Sequence, residues 1–348
     1  MFKLKQVAAV AAFSMIAASA MASNFRSADQ VYVPVGGHIA SAAATFISDV
    51  WIANMSTTDA VDVSVIYTPN GQNPTSQYFD KAFVLQPNER REFVDFFAQA
   101  PFNLTSAFGS LVFNACKQGA DCVNTQDAQG NSPNFRNIIV ESRIYSIPAG
   151  QTNPAGQPTN GQDMPGIPWY NFASQRQSTN GLGRVDILGI RNTGTSGQTG
   201  TYRGNIGLLN ASQFSTTTIV AKLYNGSTRT QIGSDYTITL GPLGFVQPSV
   251  AAMFGAAFPS GPTATNAYVT VEQTNSSPTA DAPQGCLPDG CPGFIAYGSV
   301  LDNATQDATT LEAVYEKALT EIPNALDAIY GTASTGLKSN IRRSVGRH

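Results

Sequence analysis

The chain has 348 residues and a formal net charge of −3, with only 12% charged residues against the ~25% of ordinary globular domains. At roughly 150 residues per domain the length predicts two domains, and 42% apolar residues suffice for packed cores, which excludes wholesale disorder. The acidic balance argues against nucleic acid as a partner, and a count of two histidines, His38 and His348, excludes a multi-histidine metal centre.

The first element, residues 1–22, has the pattern of a secretory signal peptide. Lys3 and Lys5 form a positive start, Val7 to Ala18 an apolar stretch, and Ala20-Met21-Ala22 a cleavage site. That apolar run is short of the ~20 residues that span a bilayer, and no later run reaches that length. The expected mature chain is therefore exported, with no transmembrane segment after cleavage, to the periplasm, the cell surface or the medium.

Short β-rich runs follow. Ser48 to Asn54, Val61 to Tyr67 and Gly109 to Phe113 are rich in Val, Ile, Tyr and Phe and are separated by breakers such as Pro69-Asn70-Gly71. Val61, Val63, Val65 and Tyr67 share one face, and Asp62 and Ser64 take the other. Trp51, among apolar neighbours, is expected in the core. The runs recur in order at an offset of about 155–158 residues: Gly204 to Ser212, Thr218 to Tyr224 and Ala267 to Val271, with Leu85-Gln86-Pro87 matched by Leu240-Gly241-Pro242. A period this long makes each copy a whole domain. The expected architecture is all-β: antiparallel sandwich domains at 23–147 and 181–308, with a β-barrel as the competing closure.

Between the copies, residues 148–180 read as a Gly/Pro-rich linker. Its Ile167, Trp169 and Tyr170 predict packing against a domain and hence a fairly rigid pair. Cys116 and Cys122 follow a strand of copy one, and Cys286 and Cys291 occupy the corresponding place in copy two. Equivalent positions favour Cys116–Cys122 and Cys286–Cys291 bonds, in keeping with an oxidising compartment. Residues 309–348 form a C-terminal extension. Thr309 and Glu312 make a capping-box pattern, Leu311, Val314, Tyr315, Ala318, Leu319 and Ile322 follow helical spacing, and Pro323 stops the run. This predicts a helix of about 13 residues and then a basic tail with Lys338, Arg342, Arg343 and Arg347, suited to an anionic surface.

Several stretches resemble one family. Ser48 to Asn54 is similar to a "TDLWIxN" strand, Arg203 to Asn210 to "RTNLGLVN", Gly161 to Pro168 to a "GQxxPGxP" connector, and Ala296 to Asp307 to "AYASVVDNxTxD". These belong to a widespread group of secreted bacterial proteins with tandem Ig-like β-sandwich repeats. The resemblance covers roughly residues 31–311 and implies fold and export, with no functional residues attached. The paired cysteines and the C-terminal extension depart from its pattern.

No reactive constellation stands out. His38, the single internal histidine, follows Gly36-Gly37 and reads as a surface or turn residue, and no GxSxG elbow occurs. Asp302, Asn303 and Asp307 are the candidate calcium ligands, with Asx-turn chemistry the simpler role; no other cofactor is expected. Trp169 and Tyr170 are the candidate glycan contacts, with interdomain packing the competing role. Six Asn-x-Ser/Thr sequons occur, at Asn54, Asn103, Asn210, Asn225, Asn275 and Asn303. The expected function is an exported, non-catalytic structural or adhesive protein whose partner is a surface glycan or an envelope protein. A carbohydrate-binding sandwich and a hydrolase with an unmarked carboxylate site are the alternatives. Non-reduced peptide mapping of the exported chain is expected to return Cys116–Cys122 and Cys286–Cys291; a bond between the two copies would contradict the pairing.

Overall fold

The structure, a computed structural model, describes residues 27–40, 44–122, 124–125, 132–148, 160–169, 172–173, 184–193, 200–255, 266–278, 293–305 and 307–315. The expected signal peptide, the Cys286–Cys291 pair, Tyr170 and everything beyond residue 315 lie outside these. The described residues form antiparallel sheets with almost no helix.

The first half contains β1 (Gln30–Ala40), β2 (Ala44–Asn54), β3 (Val61–Pro69), β4 (Gln77–Leu85), β5 (Arg90–Phe93), β6 (Ala107–Lys117), β7 (Ile138–Pro148), β8 (Asn160–Pro165) and β9 (Ile167–Pro168). One layer runs β4-β3-β6-β1, with β9 on β1; the other runs β2-β7-β8, with β5 on β2. β1 joins them, because its residues up to His38 pair with β6 whereas Ile39 and Ala40 pair with β2. The crossing needs close backbone approach: a Cβ built on Gly37 would lie 2.6 Å from the Ala107 carbonyl oxygen. Between the layers lie Val61, Val63, Val65 and Tyr67, as the alternation of β3 predicts, with Phe96, Phe97, Phe102 and Phe113. Phe96 meets Phe102 at 4.4 Å and Phe93 at 5.5 Å between ring centroids. Asp62, expected outside, is also buried, beneath Lys81 at 3.8 Å and the Gly119 amide at 2.9 Å.

The second half contains β10 (Arg184–Ile190), β11 (Tyr202–Asn210), β12 (Ser215–Asn225), β13 (Gln231–Leu240), β14 (Phe245–Val246), the short helix α1 (Val250–Phe254), β15 (Ala267–Pro278), β16 (Phe294–Asp302) and β17 (Ala308–Tyr315). Its strand order is β13-β12-β15-β10-β17-β16-β11-β14. β17 joins the layers, pairing with β16 through Glu312 and with β10 from Ala313.

β17 corrects the sequence reading of its segment. A helix is predicted to open at Leu311, yet Thr309 lies opposite Val300 and Glu312 opposite Tyr297 in a ladder. An isolated 13-residue helix is marginal in water. The same residues as a strand satisfy the exposed backbone edges of both β16 and β10. From Leu311 the burial alternates, with Glu312 and Val314 exposed and Leu311 and Ala313 half-buried, which is the period of a strand.

Part of the expected linker is built into the first half. β8 pairs with β7 and β9 with β1, and the Trp169 indole donates to Asp29 at 2.9 Å. The two halves then share a core. Leu209, Phe245, Ile295 and Tyr297 belong to the same buried cluster as Tyr32 and Met164. The Tyr32 hydroxyl donates to the Ala211 carbonyl at 3.0 Å, and Gly71 and Phe245 exchange backbone bonds of 2.7 and 3.0 Å. The Cys116–Cys122 disulfide is present and closes a small loop at the end of β6.

Two buried asparagines fix the strand ends. The Asn54 amide donates to the Asp59 and Gln86 carbonyls, both at 2.9 Å, while its oxygen accepts from the Ser56 amide at 2.9 Å. The Asn210 amide donates to Ser215 at 2.6 Å and Gly241 at 2.7 Å, and its oxygen accepts from Ser212 at 3.0 Å. Both amides head sequons and both are committed to the core. Removing either leaves buried carbonyls unpaired, so Asn54→Ala and Asn210→Ala are each expected to cost about 2–4 kcal/mol, read as a lowered urea midpoint at unchanged slope.

Candidate functional site

The outer face of the β5-β2-β7-β8 layer carries the most chemistry. Along β2, Ser48, Val50, Ile52 and Asn54 point to the core, so period-2 alternation turns Asp49 and Trp51 outward. Trp51 is 36% exposed. Glu92 of β5 lies directly opposite it on one side and Glu141 of β7 on the other. Directly opposite residues hold their Cβ atoms about 4.5–5.5 Å apart, so two carboxylates flank the indole.

The next row is Asp49, Arg143 and Asp163. Asp49 is 8% exposed; its Oδ1 accepts from the Asp95 amide at 2.9 Å and from the Tyr145 hydroxyl at 3.2 Å. Burial pushes the Asp49 carboxyl above its ordinary value; those two donors oppose the shift, and the nearby Glu92 and Asp95 charges add to it. Asp95 has left-handed backbone, φ 52°, and its carboxylate meets His38 Nδ1 at 2.8 and 3.0 Å. The Arg143 guanidinium stands 5.3 Å from the Tyr145 ring centroid. His38 thus belongs to a polar network that braces this face through Asp95.

Where β8 meets β17 the face drops into a groove of about 600 Å³. Trp51, Glu141 and Asp163 line one side and Thr309 and Glu312 the other. The Thr310 hydroxyl ties the sides together by donating to the Asp163 carbonyl at 2.6 Å. Ser142 also lines the groove; it is 2% exposed and its hydroxyl has no hydrogen-bond partner.

The corresponding face of the second half is closed. Gly207 and Tyr297 stand opposite one another there, each 156 residues beyond Trp51 and Glu141. A Cβ on Gly207 would lie 2.0 Å from the Tyr297 ring, and Tyr297 is buried against the first half.

The candidates from sequence fall elsewhere. Trp169 is 4% exposed and presents no open face. Asp302 accepts from the Ala304 and Thr305 amides at 2.8 and 3.2 Å, Asn303 accepts from Arg203 at 2.8 Å, and the Asp307 amide donates to the Thr305 hydroxyl at 3.2 Å. Among the described residues no cluster of three or more His, Cys, Asp or Glu is placed to hold a metal. Sequence reasoning missed the Trp51 row. Val50 and Ile52 on either side were the available signal, because a strand that buries both must expose the residue between them. The pairing with Glu92 and Glu141 depends on register and left no mark in the sequence.

No protein-family model and no curated protein matches the chain. Among solved structures it has a weak likeness to a chain titled "Biofilm associated protein - BSP domain", 10% identical with a TM-score of 0.17, covering 83% of this chain and 59% of that one. A superposition this poor fixes neither fold nor function. Among the described residues no helix is long and apolar enough to cross a membrane.

The Asp49 environment gives a pH dependence of defined sign. A carboxyl raised in the folded state keeps its proton to higher pH than it does unfolded. Stability therefore falls as pH rises from the ordinary carboxylate range near ~4 through the folded value, and the loss persists at neutrality. Asp49→Asn is expected to raise the urea midpoint relative to the native chain at pH 7, with the gap closing as pH is lowered through ~4; a gap that widens in acid would contradict this account.

Proposed function

We propose that the chain is an exported, non-catalytic binding protein of the cell envelope or extracellular space, adhesive or structural in role and built from two tandem Ig-like sandwiches. The exposed Trp51, set between Glu92 and Glu141 at the lip of a groove, carries the reading. An aromatic side chain held outward by sheet register is a rigid contact point, and rigid elements place binding groups more accurately than loops do.

Other observations support the remainder. The neighbours β4-β3-β6-β1 and β5-β2-β7-β8 recur as β13-β12-β15-β10 and β14-β11-β16-β17. Asn54 and Asn210 make matching bonds in the two halves. Both agree with duplication and with the tandem-repeat family that the motifs resemble. The Cys116–Cys122 bond suits an oxidising compartment. The basic stretch from Lys338 would add contact with an anionic envelope surface.

The test is co-sedimentation of the purified mature chain with isolated envelopes and with extracellular matrix polysaccharide. The native chain is expected to sediment, and Trp51→Ala to reduce the bound fraction at least tenfold with its urea midpoint unchanged. Equal sedimentation of the two would overturn the assignment to this face. Release of reducing ends from the polysaccharide would move the groove into the hydrolase class.

A further inference from the structure

We propose that the groove between β8 and β17 binds a glycan that carries free amino groups, of the glucosamine type. The inference rests on the binding role given to this face and adds the chemical class of its ligand.

Charge is the first argument. Glu141, Asp163 and Glu312 line the groove, and no Lys, Arg or His does among the described residues. Glu92 adds a fourth carboxylate from the far side of Trp51. Arg143 borders the groove in the row of Asp163, its guanidinium 5.3 Å from the Tyr145 ring centroid, and offsets one of the four charges; His38 meets Asp95, and Arg90 donates to the Asn88 carbonyl at 3.1 Å. A negative groove repels a polyuronate or a phosphorylated polymer and attracts a cation.

The apolar contact is the second argument. Trp51 contributes exposed indole surface in a groove otherwise rich in polar groups. A protonated amino sugar offers an apolar C–H face to such a ring, together with an ammonium that gains from the indole and from flanking carboxylates. The exposed Thr309 hydroxyl on the β17 side of the groove matches a polyhydroxylated ligand. The volume of about 600 Å³ lies within the ~300–1,000 Å³ of ligand sites.

The contrast between the halves is the third argument. At the positions matching Trp51 and Glu141, the second half has Gly207 and Tyr297, buried against the first half. The Trp/Glu pairing therefore occurs on the face left open.

The chain has two tryptophans, of which Trp169 is buried, so a ligand at the groove reports through Trp51. Full-length mature chain would be titrated with β-1,4-linked glucosamine tetramer, its fully N-acetylated counterpart, a uronate tetramer and a tetralysine peptide, following tryptophan emission at two salt concentrations. The amino tetramer is expected to bind at least tenfold more tightly than the acetylated one and the uronate not to bind. Salt should weaken the amino complex. By isothermal titration calorimetry, which does not need the Trp51 signal, Trp51→Ala and Glu141→Gln should each weaken it about tenfold, the second with a smaller salt dependence. Equal affinity for the amino and acetylated tetramers would overturn the charge assignment and leave the binding role standing. Tetralysine binding as tightly as the amino tetramer would overturn the sugar assignment. Binding of no probe, or binding indifferent to both substitutions, would overturn the proposal.

Discussion

The side-chain amide of Asn54 holds the end of β2 by bonding backbone carbonyls on two neighbouring segments. Every face assignment along that strand follows from it. With Asn54 turned inward, Ile52, Val50 and Ser48 are inward too, and Trp51 and Asp49 must face out. A slip of one residue would put the indole in the core and expose the valine and isoleucine. Asn210 imposes the same parity on β11, and there outward Leu209 joins the core shared with the first half while Gly207 is covered by Tyr297 of that same core. One local rule thus yields an open face in the first half and a buried junction in the second.

Much of the fold was legible because strands record burial as alternation. Val61, Val63 and Val65 declare the core face of β3, and the recurrence of its pattern in β12 marks a second sheet. What remained hidden required partners far along the chain. Leu311 to Tyr315 satisfies helical spacing over a short window, and two unpaired strand edges decide the outcome instead. The stretch from Asn160 to Pro168 read as linker because Pro165-Gly166 interrupts it. Yet β8 and β9 pair successively with β7 and β1 as β17 pairs with β16 and β10. A Cβ at Gly166 would sit 2.3 Å from the Val140 carbonyl oxygen, so the glycine in the "GQxxPGxP" motif marks a tight passage between layers. Trp51 was misplaced for a related reason: hydrophobicity ranks it for the core, whereas parity excludes it.

The polar groups of the open face form two tiers. Trp51, Glu92 and Glu141 stand at the surface, and beneath them Asp49, Tyr145, Asp95 and His38 are linked by hydrogen bonds. The lower tier fixes the left-handed turn at Asp95, just beyond β5, and so holds the strand that carries Glu92. The open face therefore inherits its shape from a hydrogen-bonded network set beneath it.

The shared core between the halves has a mechanical consequence. Two sandwiches on a flexible tether act as independent beads, and a pull at one end straightens the tether first. Here Tyr32, Phe245, Leu209 and Tyr297 lie in one buried cluster, and Gly71 and Phe245 are joined through their backbones. Extension must begin by shearing apolar surface and paired amides, so the chain behaves as a stiff strut. The direction in which Trp51 faces is then set relative to the second half, and tension is carried across the junction without reorienting the groove.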